Sequence, residues 1–211
     1  MAEKRENPAL TADTALFSII DKDLKILLIK RGNPPFQDKW ALPGGFVDPG
    51  EEIRVAAERE LEEETGVKYE NLEQVQTFGT PGRDPRGRTV SVVYFALADS
   101  SGLKTQADTD AKEVAWVSVN DLPELAFDHA EIIKYTIKVL RQKLENTPAV
   151  KSIMPGEFNL DRLREVYEVI LNKTFEPEVF KRKIAETGLL EKTASSKYKF
   201  REGVEFAGRF I

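Results

Sequence analysis

The chain has 211 residues, 41% hydrophobic and 32% charged, a balance that provides apolar cores and excludes a membrane-embedded or disordered protein. The net charge of -5 is too small to define a partner through the overall field. The absence of cysteine and the single histidine exclude disulfides, thiolate nucleophiles and multi-histidine metal sites. Because neither Met1–Leu10 nor any later segment is an apolar run of membrane-spanning length, we expect a cytoplasmic protein with no membrane partner.

Strands and helices are interspersed over the first two thirds of the chain. Apolar and β-branched runs predict strands at Thr11–Ile20, Leu24–Lys30, Leu72–Phe78, Thr89–Ala98 and Glu113–Val119. Trp40–Val47 is predicted as a short extended segment broken by Pro43, Gly44 and Gly45. Apolar residues at helical spacing predict helices at Glu51–Thr65, ended by Gly66, and at Asp128–Leu144. This order of elements predicts an α/β/α sandwich with a mixed sheet, in the α+β class.

A change of composition divides the chain near residue 150. The segment 147–159 contains Pro148, Pro155 and Gly156, which predicts a linker between a domain at 1–146 and a second domain at 160–211. Two helices, at Leu160–Leu171 and Pro177–Thr187, precede a two-stranded ribbon within Leu189–Glu202. Helix, helix and hairpin is the order of a small winged-helix domain.

Basic residues concentrate in the second domain. Between residues 173 and 201, Lys and Arg outnumber Asp and Glu by eight to four. The candidate contacts to DNA phosphates are Lys181, Arg182 and Lys183 on the second helix and Lys197 and Lys199 on the ribbon. A solvated basic surface with no nucleic-acid partner is an equal alternative.

Carboxylates form the strongest chemical signal in the first domain. Glu64 lies one helical turn beyond Glu60, and Glu63 projects from the neighbouring row, so the spacing predicts that three carboxylates converge. Hard oxygen ligands of this kind select Mg²⁺ or Mn²⁺. Arg59 can pair with Glu51 and hold the helix against the preceding loop. The alternative is an acidic helix face in contact with solvent.

The segment from Gly45 to Val67 resembles the Nudix hydrolase signature at every fixed position: Gly, five residues, Glu, seven residues, Arg-Glu-aliphatic, one residue, Glu-Glu, one residue, Gly-aliphatic. The resemblance implies the Nudix sandwich for residues 8–146 and hydrolysis of a pyrophosphate bond in a nucleoside diphosphate derivative.

The same resemblance assigns roles to individual residues. It implies that Glu60 and Glu64 bind metal and that the Gly44 carbonyl completes the metal site. Glu63 would bind metal or activate water, and Arg59 and Glu51 would orient the site. The catalytic base stays open between the signature helix and Asp108, Asp110 and Glu113 of a later loop.

An arginine-rich loop is the best indication of the substrate. Arg83, Arg86 and Arg88 follow one another between two predicted strands, and their forked donors suit a pyrophosphate and a phosphosugar. Solvated arginines in a turn are the alternative. The loop is similar to that of the ADP-ribose-hydrolysing branch, which implies ADP-ribose as substrate and AMP and ribose 5-phosphate as products. For His129, next to Asp128, we expect helix capping and packing, with ligand contact left open.

The second domain also has a family resemblance. The segment Arg182–Glu191 is similar to one in Nudix-related transcriptional regulators of NAD metabolism and sugar use. That resemblance implies a homodimer with double-stranded DNA as a partner, although Gly203–Ile211 does not match the expected end of a wing. We therefore expect a Nudix hydrolase with an appended winged helix, and a metabolite-responsive repressor is the alternative.

Overall fold

The computed structural model describes residues 7–107 and 111–203, which divide into two compact units. The first unit includes Lys25–Ala96 and Ser101–Thr136 together with the described residues up to Phe17. The second unit includes the described residues from Ile137 onwards and two short segments, Ser18–Leu24 and Leu97–Ser100.

One sheet of seven strands organises the first two thirds of the chain. Its strands are β1 (Ala9–Ile20), β2 (Asp23–Arg31), β3 (Trp40–Ala41), β4 (Gly44–Phe46), β5 (Glu73–Phe78), β6 (Thr89–Leu97) and β7 (Ala111–Ser118). The order is β3-β2-β1-β6-β5, and in addition β4 pairs with β1 and β7 pairs with β2. The five predicted strands are present with small shifts at their ends, whereas the predicted extended segment Trp40–Val47 forms two short strands, β3 and β4, that pair with β2 and β1.

Strand β1 lies in the middle of this sheet. Residues 11–18 are buried without interruption, as expected for a strand that is covered on both faces. Antiparallel pairing aligns Thr11, Ala12 and Asp13 of β1 with Phe46, Gly45 and Gly44 of β4. This register places a polar residue of a buried strand beside a glycine pair.

Two helices accompany the sheet, α1 (Ile53–Thr65) and α2 (His129–Asn146). Helix α1 buries Ala56, Ala57 and Leu61 and ends where Gly66 adopts a left-handed conformation, φ 72°. Its contacts with β4 bring the glutamate-rich face next to the glycine pair. The predicted α+β fold, a mixed sheet with helices, is confirmed.

The second unit contains the predicted helix-helix-ribbon module, with α3 (Leu160–Leu171), α4 (Pro177–Glu186), β8 (Leu190–Lys192) and β9 (Tyr198–Phe200). The Asn159 side chain caps α3 by accepting from the Arg162 N–H at 2.7 Å. Pro177 begins α4, where its missing N–H costs no hydrogen bond. The rings of Tyr167 and Phe180, both buried, pack with centroids 5.8 Å apart and form the centre of this small core.

The predicted linker at 147–159 contains a short 3₁₀ helix, Ala149–Ile153, and its role as a boundary between domains 1–146 and 160–211 stays a prediction. Asp108, Asp110 and most of Gly203–Ile211 lie outside the described residues. Within residues 7–107 and 111–203, no helix is long and apolar enough to span a bilayer.

Candidate active site

A cavity of about 370 Å³ in the first unit collects most of the predicted site residues. Its polar lining includes Asp13 and Arg31 of the sheet, Glu60 and Glu64 of α1, Arg83, Asp84 and Arg86 of the arginine loop, and His129 of α2. The cavity therefore has carboxylates from one helix and guanidinium groups from a separate loop, a combination that can bind a metal ion together with phosphate groups.

The glycine pair allows α1 to approach the sheet closely. A Cβ on Gly45 would lie 2.3 Å from Glu60 Oε1, and one on Gly44 would lie 2.4 Å from the Ala12 carbonyl oxygen. Any side chain at these positions would displace the carboxylate or the strand. The signature glycine is thus required because the Glu60 carboxylate lies against its backbone.

Glu64 and Glu60 both lie where the ionised form of the carboxyl group is disfavoured. Burial is the main cause that raises the pKa of Glu64 to about 8, against an opposing hydrogen bond from the Gly44 N–H to Glu64 Oε2 at 2.8 Å. Burial also raises the pKa of Glu60, against the opposing effect of Arg59. A site that raises the pKa of two neighbouring carboxylates lacks positive charge, and a divalent cation would supply it.

Arg59 connects the loop before α1 to the helix itself. Its Nε and Nη2 donate to both oxygens of Glu51 at 2.8 and 3.0 Å, and Nη2 also donates to the Phe46 carbonyl at 3.2 Å. These hydrogen bonds are the main cause that lowers the pKa of Glu51 to about 2. The predicted orienting pair is therefore formed, and it is bidentate.

Glu63 is placed differently from the other two glutamates. Its side chain is 57% exposed and accepts from Arg59 Nη1 at 3.1 Å, while the same nitrogen donates to Glu60 at 2.8 Å. Glu63 does not line the cavity that contains Glu60 and Glu64. Among the described residues no three His, Asp or Glu side chains lie close enough to hold a cation, so the predicted convergence of three carboxylates is absent from this structure. Glu60 and Glu63 are instead bridged by Arg59 Nη1.

The three predicted substrate arginines have different surroundings. Arg83 is almost fully buried and donates through Nε and Nη2 to both oxygens of Asp128, at 2.9 and 2.6 Å. Arg86 lines the cavity and is held by the buried Asp84 at 2.7 Å. Arg88 is absent from the cavity lining and donates to the Gly79 carbonyl at 2.6 Å. Of the three arginines, Arg86 is therefore the one most directly available to a ligand in the cavity.

Several cavity residues have no strong signal in the sequence. Asp13 lies inside an apolar strand, and Arg31 and Phe127 come from segments far apart in the chain. The guanidinium of Arg86 lies 5.0 Å from the Phe46 ring and 5.7 Å from the Phe127 ring, and that of Arg31 lies 5.0 Å from Phe127. The one signal that could have identified Asp13 is an acidic residue within an apolar strand.

The carboxylate of Asp128 pairs with Arg83, and the side chain of His129 accepts a hydrogen bond from the Leu42 N–H. His129 therefore holds the start of α2 against the segment between β3 and β4, which agrees with the expected packing role. Glu113, one of the candidate bases, lies on β7 beside Lys30 at 3.7 Å and does not line the cavity.

The basic residues of the second unit lie on exposed positions. In α4 only Phe180 and Ile184 are buried, so that Lys181, Arg182 and Lys183 all face solvent. Lys197 and Lys199 of the ribbon are exposed as well. Lys181 lies 3.6 Å from Glu178 and Lys199 lies 2.9 Å from Glu191, ion pairs that solvent screens strongly.

Comparison with protein-family models identifies both parts of the chain. Residues 10–136 match the NUDIX domain model, and residues 150–201 match the NrtR DNA-binding winged helix domain model. The chain belongs to the Nudix family. Its Nudix domain contains the glutamate helix and the cavity, and its winged-helix domain contains α3, α4 and the ribbon.

One relative named as a repressor and another named as a hydrolase are similar to this chain. The "ADPR responsive transcriptional repressor NtrR" of Acinetobacter baylyi is 38% identical over 195 residues, 90% of this chain and 78% of its own length. The "ADP-ribose pyrophosphatase" of Methanocaldococcus jannaschii is 46% identical over 128 residues, 61% of this chain and 72% of its own length.

Solved structures of Shewanella oneidensis NrtR are also similar. The NrtR structure with a 27mer DNA has a TM-score of 0.77 and 33% identity, covering 91% of this chain and 93% of that one. The structure of its NUDIX domain with ADP ribose has a TM-score of 0.60 and 37% identity, covering 64% and 90%.

Replacement of Glu64 by Gln tests the electrostatics of the cavity. With a pKa of about 8 against an ordinary 4.5, folded Glu64 keeps a proton that the unfolded chain has released. Unfolding therefore releases a proton in this range, and without divalent cations the free energy of unfolding falls as pH rises from about 4.5 to about 8. Glu64→Gln has no such proton, so we expect a shallower fall, measured by urea denaturation in a chelator.

Glu62→Gln is the matched control, because Glu62 is an exposed glutamate of the same helix paired with Lys68 at 2.8 Å. We expect it to keep the wild-type dependence on pH. An equal slope for Glu64→Gln and wild type would contradict the raised pKa.

Proposed function

We propose that this chain is a divalent-cation-dependent hydrolase that cleaves the pyrophosphate bond of ADP-ribose to AMP and ribose 5-phosphate. The observation that carries the proposal is the pair Glu60 and Glu64, packed against Gly44 and Gly45 in a cavity that Arg86 also lines. The two similar proteins named for ADP-ribose support this choice of substrate.

The donor set fits Mg²⁺ or Mn²⁺. Glu60 and Glu64 supply hard oxygen ligands in one cavity, and the raised pKa values of both carboxyls reflect a need for positive charge. We assign Glu60, Glu64 and the Gly44 carbonyl as metal ligands. Glu63 would act as a further ligand or activate water only after its side chain leaves Arg59 and turns toward the cavity. When bound, such an ion neutralises phosphate oxygens and lowers the pKa of water.

The residues of the chain orient the reactants. Arg59 clamps Glu51 with two hydrogen bonds and positions Glu60 with a third, so the ligand-bearing face of α1 is fixed before substrate arrives. In the reaction, a water oxygen forms a new bond to one phosphorus atom and the bridging P–O bond breaks. The water proton leaves to a base, and the departing phosphate oxygen carries the electron pair.

Arg86 supplies hydrogen-bond donors to the cavity from the arginine loop. The position of its guanidinium is restrained by the hydrogen bond to Asp84 and by the Phe46 and Phe127 rings. Arg86 therefore loses little conformational entropy when it binds a phosphate. Arg83 uses Nε and Nη2 for Asp128, and we assign it to shaping the cavity and to contacts through its remaining nitrogen.

Hydrolysis of ADP-ribose by the purified chain with Mg²⁺ tests the proposal, with AMP and ribose 5-phosphate resolved by chromatography. Glu60→Gln keeps the shape of the side chain but removes a charged ligand, and we expect kcat to fall by about a hundredfold or more. Glu62→Gln should retain wild-type activity. Absence of turnover in the wild-type protein, or equal turnover in Glu60→Gln at saturating Mg²⁺, would refute the assignment.

The arginine loop permits a matched comparison. Arg86→Ala removes a fork at the cavity, and we expect the KM for ADP-ribose to rise by about tenfold or more. Arg88→Ala removes an arginine of the same loop that binds the Gly79 carbonyl outside the cavity lining, and its KM should change little. Steady-state kinetics on both variants check this, and equal effects would remove the distinction between the two side chains.

DNA binding regulated by ADP-ribose is a second candidate function for the same chain. It is favoured by the match of residues 150–201 to the NrtR winged-helix model and by the exposed basic face of α4. Helix α4 would enter the major groove, with Lys181, Arg182 and Lys183 on phosphates, while Lys197 and Lys199 of the ribbon contact the backbone. The similar NrtR structure with DNA and the named repressor support a double-stranded DNA partner.

A salt titration of DNA binding tests this second candidate. We expect the full chain to bind a site upstream of its own gene more tightly than random duplex, with an affinity that ADP-ribose changes. Replacing Lys181, Arg182 and Lys183 by Ala should reduce the slope of log Kd against log salt by about one unit per lost phosphate contact.

The control replaces Lys134 and Lys138 by Ala, two exposed lysines of α2 outside the winged-helix domain. This variant should bind DNA as the wild-type chain does. Equal affinity of the wild-type chain for the upstream site and for random duplex, at every salt concentration and with or without ADP-ribose, would exclude the regulator.

A further inference from the structure

The single histidine of the chain has a defined tautomer. The backbone N–H of Leu42 donates to His129 Nδ1 at 2.9 Å, so Nδ1 must be unprotonated. Burial lowers the pKa of His129, which keeps the ring neutral at physiological pH. A neutral imidazole with an accepting Nδ1 carries its proton on Nε2.

His129 is also a residue of the cavity wall. Only 4% of its surface is exposed, yet the residue lines the cavity, and within residues 7–107 and 111–203 its side chain makes one hydrogen bond, to the Leu42 N–H. The Nε2–H is therefore an oriented donor that the packing of the helix does not need. A polar group that is buried beside a cavity gains most when a ligand supplies its partner.

Asp13 provides an acceptor in the same cavity. This carboxylate is 6% exposed, and its Oδ2 accepts from the Ser91 hydroxyl, which fixes the orientation of the group. The other oxygen, Oδ1, lies beside Gly44, where a Cβ would come within 2.5 Å of it. Asp13 and His129 both line this cavity, so the acceptor and the donor are available to the same ligand.

We propose that Asp13 and His129 form a subsite for the hydroxyl groups of a ribose, with the Asp13 carboxylate accepting from them and His129 Nε2–H donating to them. This inference rests on the proposed ADP-ribose substrate and specifies which residues recognise a sugar in it.

A hydroxyl fits this pair better than a phosphate does. Each hydroxyl both donates and accepts, so a ribose diol can satisfy the carboxylate and the N–H together. A phosphate oxygen would accept from Nε2–H, but it has no hydrogen to donate to the Asp13 carboxylate and would be repelled by it. Arg86, on the loop, is the phosphate-binding group of the cavity, and the Asp13 side is the sugar-binding one.

Two substitutions of His129 separate recognition from packing. In His129→Asn the amide oxygen can take the place of Nδ1 and accept from Leu42, whereas the Nε2 donor is lost. In His129→Gln the amide nitrogen reaches the Nε2 position and can donate to a sugar, whereas the acceptor for Leu42 is lost. A structural role and a recognition role therefore predict opposite orders of affinity for the two variants.

The full chain is titrated in Mg²⁺ with the α,β-methylene analogue of ADP-ribose, which is not cleaved at the pyrophosphate position. We expect His129→Asn to bind about tenfold more weakly than wild type with an unchanged Tm, and His129→Gln to bind within about threefold of wild type with a lower Tm. Asp13→Asn, which keeps the size of the side chain, should also weaken binding.

Two further ligands identify which ribose is recognised. α,β-Methylene ADP lacks the terminal ribose, and a 2′-deoxyadenosine form of the analogue lacks a hydroxyl on the adenosine ribose. A defect of His129→Asn that is absent with α,β-methylene ADP places the terminal ribose in the subsite. A defect that is absent with the 2′-deoxyadenosine ligand places the adenosine ribose there.

Equal affinities of wild type and His129→Asn for the uncleaved analogue would overturn the proposal. So would a loss of both affinity and Tm in His129→Gln with neither lost in His129→Asn, or failure of the wild-type chain to bind the analogue. The proposed hydrolysis can fail independently of the ribose subsite. In that case the analogue binds with the expected affinities for wild type, His129→Asn and His129→Gln, but the wild-type chain releases no AMP from ADP-ribose.

Discussion

The close packing of Gly44 and Gly45 between β1 and α1 determines the geometry of the cavity. Because neither residue has a side chain, the backbone lies against the Ala12 carbonyl on one side and the Glu60 carboxylate on the other. The same segment donates the Gly44 N–H to Glu64. Both carboxylates are thereby positioned by backbone that belongs to the central sheet, and their spacing does not depend on a mobile loop.

Acidic and basic side chains are distributed unevenly around the glycine pair. Glu60 and Glu64 are held where burial disfavours ionisation, and Arg59 provides positive charge outside the cavity by pairing with Glu51. Arg86, on the arginine loop, supplies positive charge to the cavity lining. A pyrophosphate is complementary to the arginine side directly, but it is compatible with the carboxylate side only when a cation is present, which links substrate binding to the metal.

Helix α4 of the winged-helix domain uses few of its side chains for packing. Helix α4 buries only Phe180 and Ile184, and Tyr167 and Phe175 pack on Phe180 with ring centroids 5.8 and 5.7 Å apart. Because one row of side chains is sufficient for packing, the rest of the helix surface is available for basic residues. An exposed basic helix in a small domain is the arrangement that major-groove recognition needs.

The sequence by itself determined the elements and the signature, since apolar periodicity and the spacing of Gly45, Glu51, Arg59 and the glutamates are local properties. Only the tertiary structure placed Glu63 outside the cavity, directed Arg88 to Gly79, and brought Asp13 and His129 into the lining of one cavity. These outcomes depend on strand pairing and helix packing between segments up to about 115 residues apart, and no local pattern encodes which side chains such long-range contacts bring together.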